Sequence, residues 1–364
     1  MAFFEEISIN SYRGIHNLTI RELDRINLIV GDNNCGKTSV LEAVQLLRTS
    51  GGLADIYKIS RQREALKMMA PSSIYESIFF MFSRDESELL IDISGRYDSK
   101  IIHYKVEASK ERELIDSGES NIRVFRRNKD ISFDIETDVL KGMIKRKFGE
   151  ENSADDFKIH RFSTITGMTV SRRDEISILY VAPFEHLKGY LLSNILMNDD
   201  YKDICLNALQ LFDSDIVDML ILRREADNRP VEYIKHSRLG NMPISTFGDG
   251  IKKVLVLANA IARVSGGILL IDEIETAIHK KYYEDIFSFI VKACAAFDVQ
   301  VFITTHSIEA IDGLLATQQY EIQDNKDDIR VITLRPLDGN TYSRVLTGRE
   351  VFEDRESFGF EVRL

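Results

Sequence analysis

Apolar residues recur along this chain in two rhythms, and their order predicts most of the architecture. The first 30 residues carry two short alternating runs, "FEEISIN" and "LTIRE", that read as strands. They are followed by "RINLIVG", an apolar run of strand length that stops at a glycine. The next segment, "KTSVLEAVQLLRT", spaces Val40, Leu41, Val44 and Leu47 as one face of a helix, so the order is strand, glycine-bounded loop, helix. From Ile244 the pattern returns: a glycine loop, the helix "GIKKVLVLANAIARV", the strand "GGILLIDE", the helix "KKYYEDIFSFIVKACAAF", the strand "VQVFITT" and the helix "SIEAIDGLL". Strands separated by helices in this way predict an α/β fold with a parallel sheet. "IRVITLRPLDG" and "TYSRVLT" predict a terminal hairpin, followed by a short charged helix or tail.

The middle has a different texture. Between about Gly51 and Glu175, acids and bases crowd among alternating runs such as "ELLIDISGRY", "KIIHYKVEA", "IRVFRR" and "ISFDIE", which predict an antiparallel meander. Within it "SKERELIDSGES" reads as an exposed loop. "ISILYVAPFE" predicts a buried strand ended by Pro183, "HLKGYLLSNILMN" through "ALQLFDS" predicts helix, and "VDMLILRREADNRPVEYIKH" predicts a hairpin turning at "DNRP". The expected organisation is an N-terminal part of one lobe at 1–50, an inserted β-rich lobe at 51–175, a helical arm and hairpin at 176–243, and the rest of the first lobe at 244–364. There are no repeats and no low-complexity tract.

Composition narrows the class. With 364 residues, 44% hydrophobic and 29% charged, the chain can bury a large core. Neither a membrane span nor a signal-peptide pattern is found, so the expectation is a cytoplasmic protein with no membrane partner. Cys35, Cys205 and Cys294 are too widely spaced for a disulfide framework or a zinc site, and read as buried or incidental thiols. A net charge of −11 argues against coating of nucleic acid by the whole surface, while leaving room for a local basic groove. "RVFRRNK" and "KRK" are candidates for that groove, their plainer reading being a solvated charged face.

Three stretches carry candidate chemistry. "GDNNCGKT", Gly31 to Thr38, fits G-x-x-x-x-G-K-[ST] between a strand and a helix, the setting that gives the pattern its meaning. Backbone N–H groups of such a loop wrap phosphate oxygens, so side chains would obstruct at Gly31 and Gly36, and the helix N-terminus adds a favourable dipole. The candidate nucleotide-binding residues are Gly31, Asn33, Asn34, Cys35, Gly36, Lys37, Thr38 and Ser39, with Lys37 on the β and γ phosphates and the Thr38 hydroxyl on magnesium. In "GGILLIDEIE" an apolar strand ends in two acids: Asp272 is the candidate magnesium-shell carboxylate, and Glu273 the candidate general base for an attacking water. "VFITTHS" is one β-α unit further on, and His306 at its polar end would face the same γ-phosphate.

Together "INLIVGDNNCGKTSVLEAV", "STFGDGIKKVLVL", "LLIDEIETAIHKK" and "VFITTHSIEAI" resemble the Walker A, signature, Walker B with D-loop, and H-loop motifs of ABC-type ATPases. The resemblance is greatest to the branch of SMC-like, RecF-like and OLD (overcoming lysogenization defect) ATPases. It covers about Phe4 to Val44 and Ile244 to Leu315, and the opening "ISINSYRGIHNLTI" adds Arg13 as the match to that branch's nucleotide-proximal arginine. "STFGDG" departs from the transporter-type L-S-G-G-Q and matches through Ser245, Gly248 and Gly250. A Q-loop glutamine cannot be placed: Gln45 lies on the first helix, and only Glu185 follows Pro183. What the resemblance implies is an ABC-type ATPase head binding ATP and magnesium, and a head-to-head homodimer in which Ser245, Gly248 and Gly250 of one chain close over the γ-phosphate held by the other.

OLD proteins join such a head to a C-terminal TOPRIM nuclease. Here about 50 residues follow the last helix of the resemblance, and "DNKDD" reads as a solvated turn. The expectation is an OLD-like ATPase with no nuclease of its own, acting as sensor or scaffold for a separately encoded effector, a TOPRIM-like nuclease or a toxin, in anti-phage defence. The alternative is a RecF-like or SMC-like repair ATPase clamping DNA, although no long heptad coiled coil is present. A transporter subunit fits less well, given the signature and the inserted meander.

Overall fold

The computed structural model describes residues 3–48, 52–64, 72–83, 88–116, 134–164, 176–188, 191–224, 226–318, 320, 327–358 and 362. Two six-stranded sheets and one three-stranded sheet organise them. The central sheet has the order β15-β14-β3-β13-β12-β8, formed by β3 (Ile26–Val30), β8 (Ile178–Val181), β12 (Ile268–Ile271), β13 (Gln300–Thr304), β14 (Ile329–Leu337) and β15 (Asn340–Thr347). All neighbours in it are parallel except β14 and β15. The parallel sheet expected from the strand–helix alternation is therefore present, and its inner strands β3, β12 and β13 are buried at every position because elements cover both faces.

Alternate residues of those strands feed two cores. Leu28 and Val30, Leu269 and Ile271, and Val301 and Ile303 pack on one side with helices α4 (Asp199–Gln210), α5 (Asp249–Arg263), α6 (Tyr283–Ala296) and α7 (Ile308–Leu315). Ile29, Leu270 and Phe302 point the other way, toward α1 (Lys37–Leu46) and the antiparallel sheet. That sheet has the order β2-β1-β4-β5-β6-β7, comprising β1 (Phe4–Tyr12), β2 (Ile15–Ile20), β4 (Leu89–Tyr97), β5 (Lys100–Asp116), β6 (Asp134–Phe148) and β7 (Glu151–His160). The middle meander is thus continuous with the N-terminal hairpin, since β4 pairs with β1 from Phe4↔Tyr97 to Ser11↔Asp92. Gln300 joins the two sheets: its fully buried amide accepts from Phe4 N–H at 2.8 Å and donates to Phe4 C=O at 2.9 Å. Helix α1 lies between the sheets with eight of its ten residues buried. A short sheet, β11-β10-β9, made of β9 (Ile216–Arg223), β10 (Pro230–His236) and β11 (Gly240–Pro243), leads into the loop at Ser245.

Several expectations need correction. "SKERELIDSGES" is not a loop up to Asp116: Ser109 to Asp116 continue β5 in register with β6, ending at Asp116↔Asp134, because an antiparallel strand with one solvated face accommodates alternating charges. Among its described residues "HLKGYLLSNILMN" gives short 3-10 turns at Glu185–Leu187 and Ile195–Met197; the regular helix starts at Asp199, where the Asn198 side chain accepts from the N–H groups of Asp200 and Tyr201. Helices α2 (Leu53–Ser60) and α3 (Ile74–Phe79) lie in the stretch expected to be β-rich, and α3 begins with a Ser73/Glu76 capping box. β7 was missed because it is a polar edge strand that buries only Phe157 and Ile159. The terminal hairpin and helix α8 (Gly348–Phe358) are as expected. "RVFRRNK" lies outside the described residues. All three cysteines are buried.

Candidate functional site

The loop between β3 and α1 has the backbone that its glycines demand. Gly31 has φ 141°, and a Cβ there would meet the Leu334 carbonyl oxygen at 2.7 Å and Cys35 Sγ at 2.8 Å. Asn34 and Gly36 also have positive φ, 66° and 102°. No side chain caps α1 and its first turn carries no acid, which leaves its N-terminal N–H donors for an anion, as a phosphate cradle requires. Lys37 folds back over its own loop, its Nζ donating at 2.8 Å to the carbonyls of both Gly31 and Asp32. Asn33 and Asn34 are exposed, whereas Cys35 is buried against Gly31.

The two ends of the chain meet at Asp272. The Thr38 hydroxyl donates to Asp272 Oδ1 and Oδ2, at 3.1 and 3.0 Å. Asp272 is 4% exposed and receives two further hydroxyls, Thr304 Oγ1 at 2.6 Å on Oδ1 and Tyr180 OH at 3.0 Å on Oδ2. Burial and the adjacent carboxylate push the Tyr180 phenol well above its ordinary range, so it stays a donor. Thr304 also accepts from Glu273 N–H at 2.8 Å, and Glu273 holds a positive φ of 47°. His306 is tied in through Glu275: its Nδ1 lies 2.9 Å from Glu275 Oε1, which also accepts the His306 N–H at 3.0 Å. In the neutral ring this puts the proton on Nδ1 and makes Nε2 the acceptor. Thr38, Asp272, Thr304 and the Glu273 backbone therefore form one linked set, with the His306–Glu275 pair beside it as a separate bonded pair, and the hard-oxygen donors Thr38 and Asp272 suit magnesium.

Arg13 takes a different place. It sits in the β1–β2 turn at φ 54°, and its Nε is 2.8 Å from Glu42 Oε2 on the second turn of α1. Glu42 is fully buried and also receives Tyr12 OH at 3.1 Å and two bonds from Arg63, at 2.7 and 2.9 Å; Arg63 Nη2 reaches on to Ser39 Oγ at 3.0 Å. Ser245, Gly248 and Gly250 lie elsewhere. Among the described residues no hydrogen bond or ion pair joins them to Gly31–Ser39. Ser245 and Gly248 are exposed, and Gly250 packs on the loop beyond Glu273, where a Cβ would stand 3.0 Å from the Ala277 carbonyl.

The pattern of residue types missed Tyr180, Thr304, Glu42, Arg63, Glu275 and Lys253. Thr304 stands in the quoted "VFITTHS", and the signal available was a hydroxyl at the last strand position before the histidine. Lys253 is fully buried on α5, with Nζ 3.0 Å from the Pro183 carbonyl. Desolvation pulls its pKa down from 10.5 to about 8 despite the carboxylates of Asp272, Glu275, Glu185 and Glu273 nearby. Gln45 bonds the side chain of Gln62 and takes no part in the set.

Residues 26–312 match the family described as "AAA domain, putative AbiEii toxin, Type IV TA system". The chain belongs to this family. An ATP/GTP phosphatase of Helicobacter pylori is 22% identical over 97% of this chain and 99% of its own length. The DNA replication and repair protein RecF of Rickettsia felis is 21% identical over 85% of this chain and 95% of its own length. The Smc head domain with an extended coiled coil bound to the C-terminal domain of ScpA, from Pyrococcus furiosus, superposes with a TM-score of 0.51 at 12% identity, covering 99% of this chain and 100% of that one. The fold is that of an SMC head, and the chain is an ATPase of the SMC/RecF-like AAA class. Among the described residues no helix is long and apolar enough to cross a membrane.

Proposed function

We propose that this protein is an ATP-binding and ATP-hydrolysing switch that works as a head-to-head dimer. The observation that carries the reading is the hydrogen bond from Thr38, just past the glycine loop, shared between both carboxylate oxygens of Asp272, 234 residues away. In this reading the Gly31–Ser39 loop and the N-terminus of α1 hold the triphosphate, and Lys37 leaves the carbonyls of Gly31 and Asp32 to meet the β and γ phosphates. Thr38 and Asp272 hold magnesium, which when bound neutralises charge on the phosphoryl oxygens. Glu273 orients and deprotonates the attacking water, and His306, oriented by Glu275, faces the γ-phosphate. Arg13 lends positive charge near the loop while anchored on Glu42.

Ser245, Gly248 and Gly250 serve the second protomer. Gly248 supports this: its φ is −64° and nothing lies within 4 Å of where a Cβ would stand, so its own chain gives no reason for a glycine there. Mixing Gly248→Asp chains with Lys37→Ala chains is the test. Each parent should be inactive and the mixture should regain at most one working site per dimer. Full activity in the mixture, or activity in either parent, overturns the sharing.

For the biological role, the OLD-like reading is a sensor or scaffold for a separately encoded nuclease or toxin in anti-phage defence. The family's name, which cites a toxin and a toxin–antitoxin system, favours it. Nuclease or translation-blocking activity that needs both this chain and a neighbouring gene's product is the expected result; full activity of the lone chain on DNA would sink it. The similarity to RecF favours a second reading, ATP-dependent clamping of DNA, which predicts retention on DNA with a steep salt slope.

A further inference from the structure

The carboxylate of Asp272 is held from both sides by strands that flank it. β12, which ends one residue before it, pairs with β13 on one side and β8 on the other. Each neighbour contributes one hydroxyl: Thr304 at the end of β13 takes Oδ1 at 2.6 Å, and Tyr180 in β8 takes Oδ2 at 3.0 Å. Register fixes both placements, since Tyr180 stands opposite Leu270 and Thr304 lies one residue beyond the Ile271↔Ile303 pair. Backbone bonds repeat the arrangement, with Asp272 N–H on the Val181 carbonyl at 3.0 Å and Ile274 N–H on the Thr304 carbonyl at 3.2 Å. A carboxylate offers about four lone-pair positions. With one hydroxyl pinned on each oxygen, the plane of the group is fixed and one lone pair on each oxygen remains, shared now by the Thr38 hydroxyl, which would give them up to the water shell of a cation.

We propose that Tyr180 is a positioning residue for the metal: its hydroxyl fixes the Asp272 carboxylate in the orientation that accepts magnesium, and β8 thereby reports metal occupancy to the segment that follows it. This rests on the ATPase reading above. It supplies a role where the segment directly after β8 offers no glutamine, and it requires only the hydroxyl, not the ring. Outer groups that orient a metal ligand typically change metal affinity by 10–100-fold when removed. The link outward is short. Two residues after Tyr180 comes Ala182, whose carbonyl, with that of Pro183, lies at 3.5 and 3.0 Å from Lys253 Nζ on α5, the helix whose N-cap is Gly248.

Tyr180→Phe tests the assignment. Manganese titrated into the protein with a non-hydrolysable ATP analogue, followed by electron paramagnetic resonance, gives the half-saturation for metal, and analogue binding in EDTA gives metal-free affinity. The expected result is a rise of about tenfold in the metal half-saturation with metal-free affinity unchanged, and a loss of turnover that raising magnesium about tenfold reverses. An unchanged half-saturation overturns the proposal. So does an equal loss of metal-free affinity, a loss of turnover that magnesium does not reverse, or a failure to fold, each of which would make the tyrosine structural. If the unaltered protein binds the analogue with no metal-dependent gain, the ATPase reading itself fails, and that outcome is separate.

Discussion

Two glycines in candidate binding loops respond to opposite demands. Gly31 is fixed by its own chain, with φ 141° and a carbonyl 2.7 Å from any added Cβ. Gly31→Ala should therefore destabilise the fold by about 2 kcal/mol or more and abolish nucleotide binding, read by chemical denaturation and by titration with ATP. Gly248→Ala should leave monomer stability within about 0.5 kcal/mol, since the backbone is ordinary and the space open, while lowering ATP turnover about tenfold or more. Equal effects of the two on stability would remove the argument for a partner at Gly248. Position along the chain was legible for the glycine loop, the paired acids and the histidine, because each sits at a strand end marked by an apolar run. Their connectors were not. Tyr180 is placed by lateral strand pairing and Glu42 by two arginines from distant segments, neither of which leaves a local pattern, whereas Thr304 leaves only a hydroxyl at a strand end.

At the scale of elements, periodicity found the inner strands and α5 because burial there is complete on a face. It failed where charge alternates on a solvated sheet, as in β5, and where capping decides a boundary, as at Asn198. Lys253 is an exception inside a well-read helix: a lysine on the apolar face of α5, its ammonium on carbonyls at the end of β8. Its folded pKa of about 8 lies below the ordinary 10.5, so below pH 8 both folded and unfolded chains carry the charge and the desolvation penalty is fully present. Between pH 8 and 10.5 the unfolded chain binds more protons, and folding is favoured as pH rises. The stability of the parent relative to Lys253→Met should therefore increase by up to about 3 kcal/mol across that window, measured by urea unfolding at several pH values. A flat difference would show that the ammonium is better solvated than its burial implies.

For the whole molecule, the prediction is assembly driven by nucleotide. Glu273→Gln should bind ATP and magnesium without turnover and shift from monomer to dimer in sedimentation, whereas Lys37→Ala should stay monomeric under the same conditions. A Glu273→Gln chain that sediments alike with and without ATP would remove the shared site. The middle meander, read from sequence as a separate texture, is one sheet with the N-terminal hairpin, so the meander and the nucleotide loop share a framework stapled by Gln300. Along that sheet two of the three bases of "KRK" are already paired: Lys145 faces Glu107 and Arg146 faces Asp155.

The backbone twist at Glu273 carries a consequence of its own. A residue with a side chain at φ 47° gives up about 1 kcal/mol that glycine would keep, and here it is held there by its N–H on Thr304 and its carbonyl on Thr276. Relieving that twist with a glycine would thus remove the carboxylate to which the proposed mechanism assigns the attacking water.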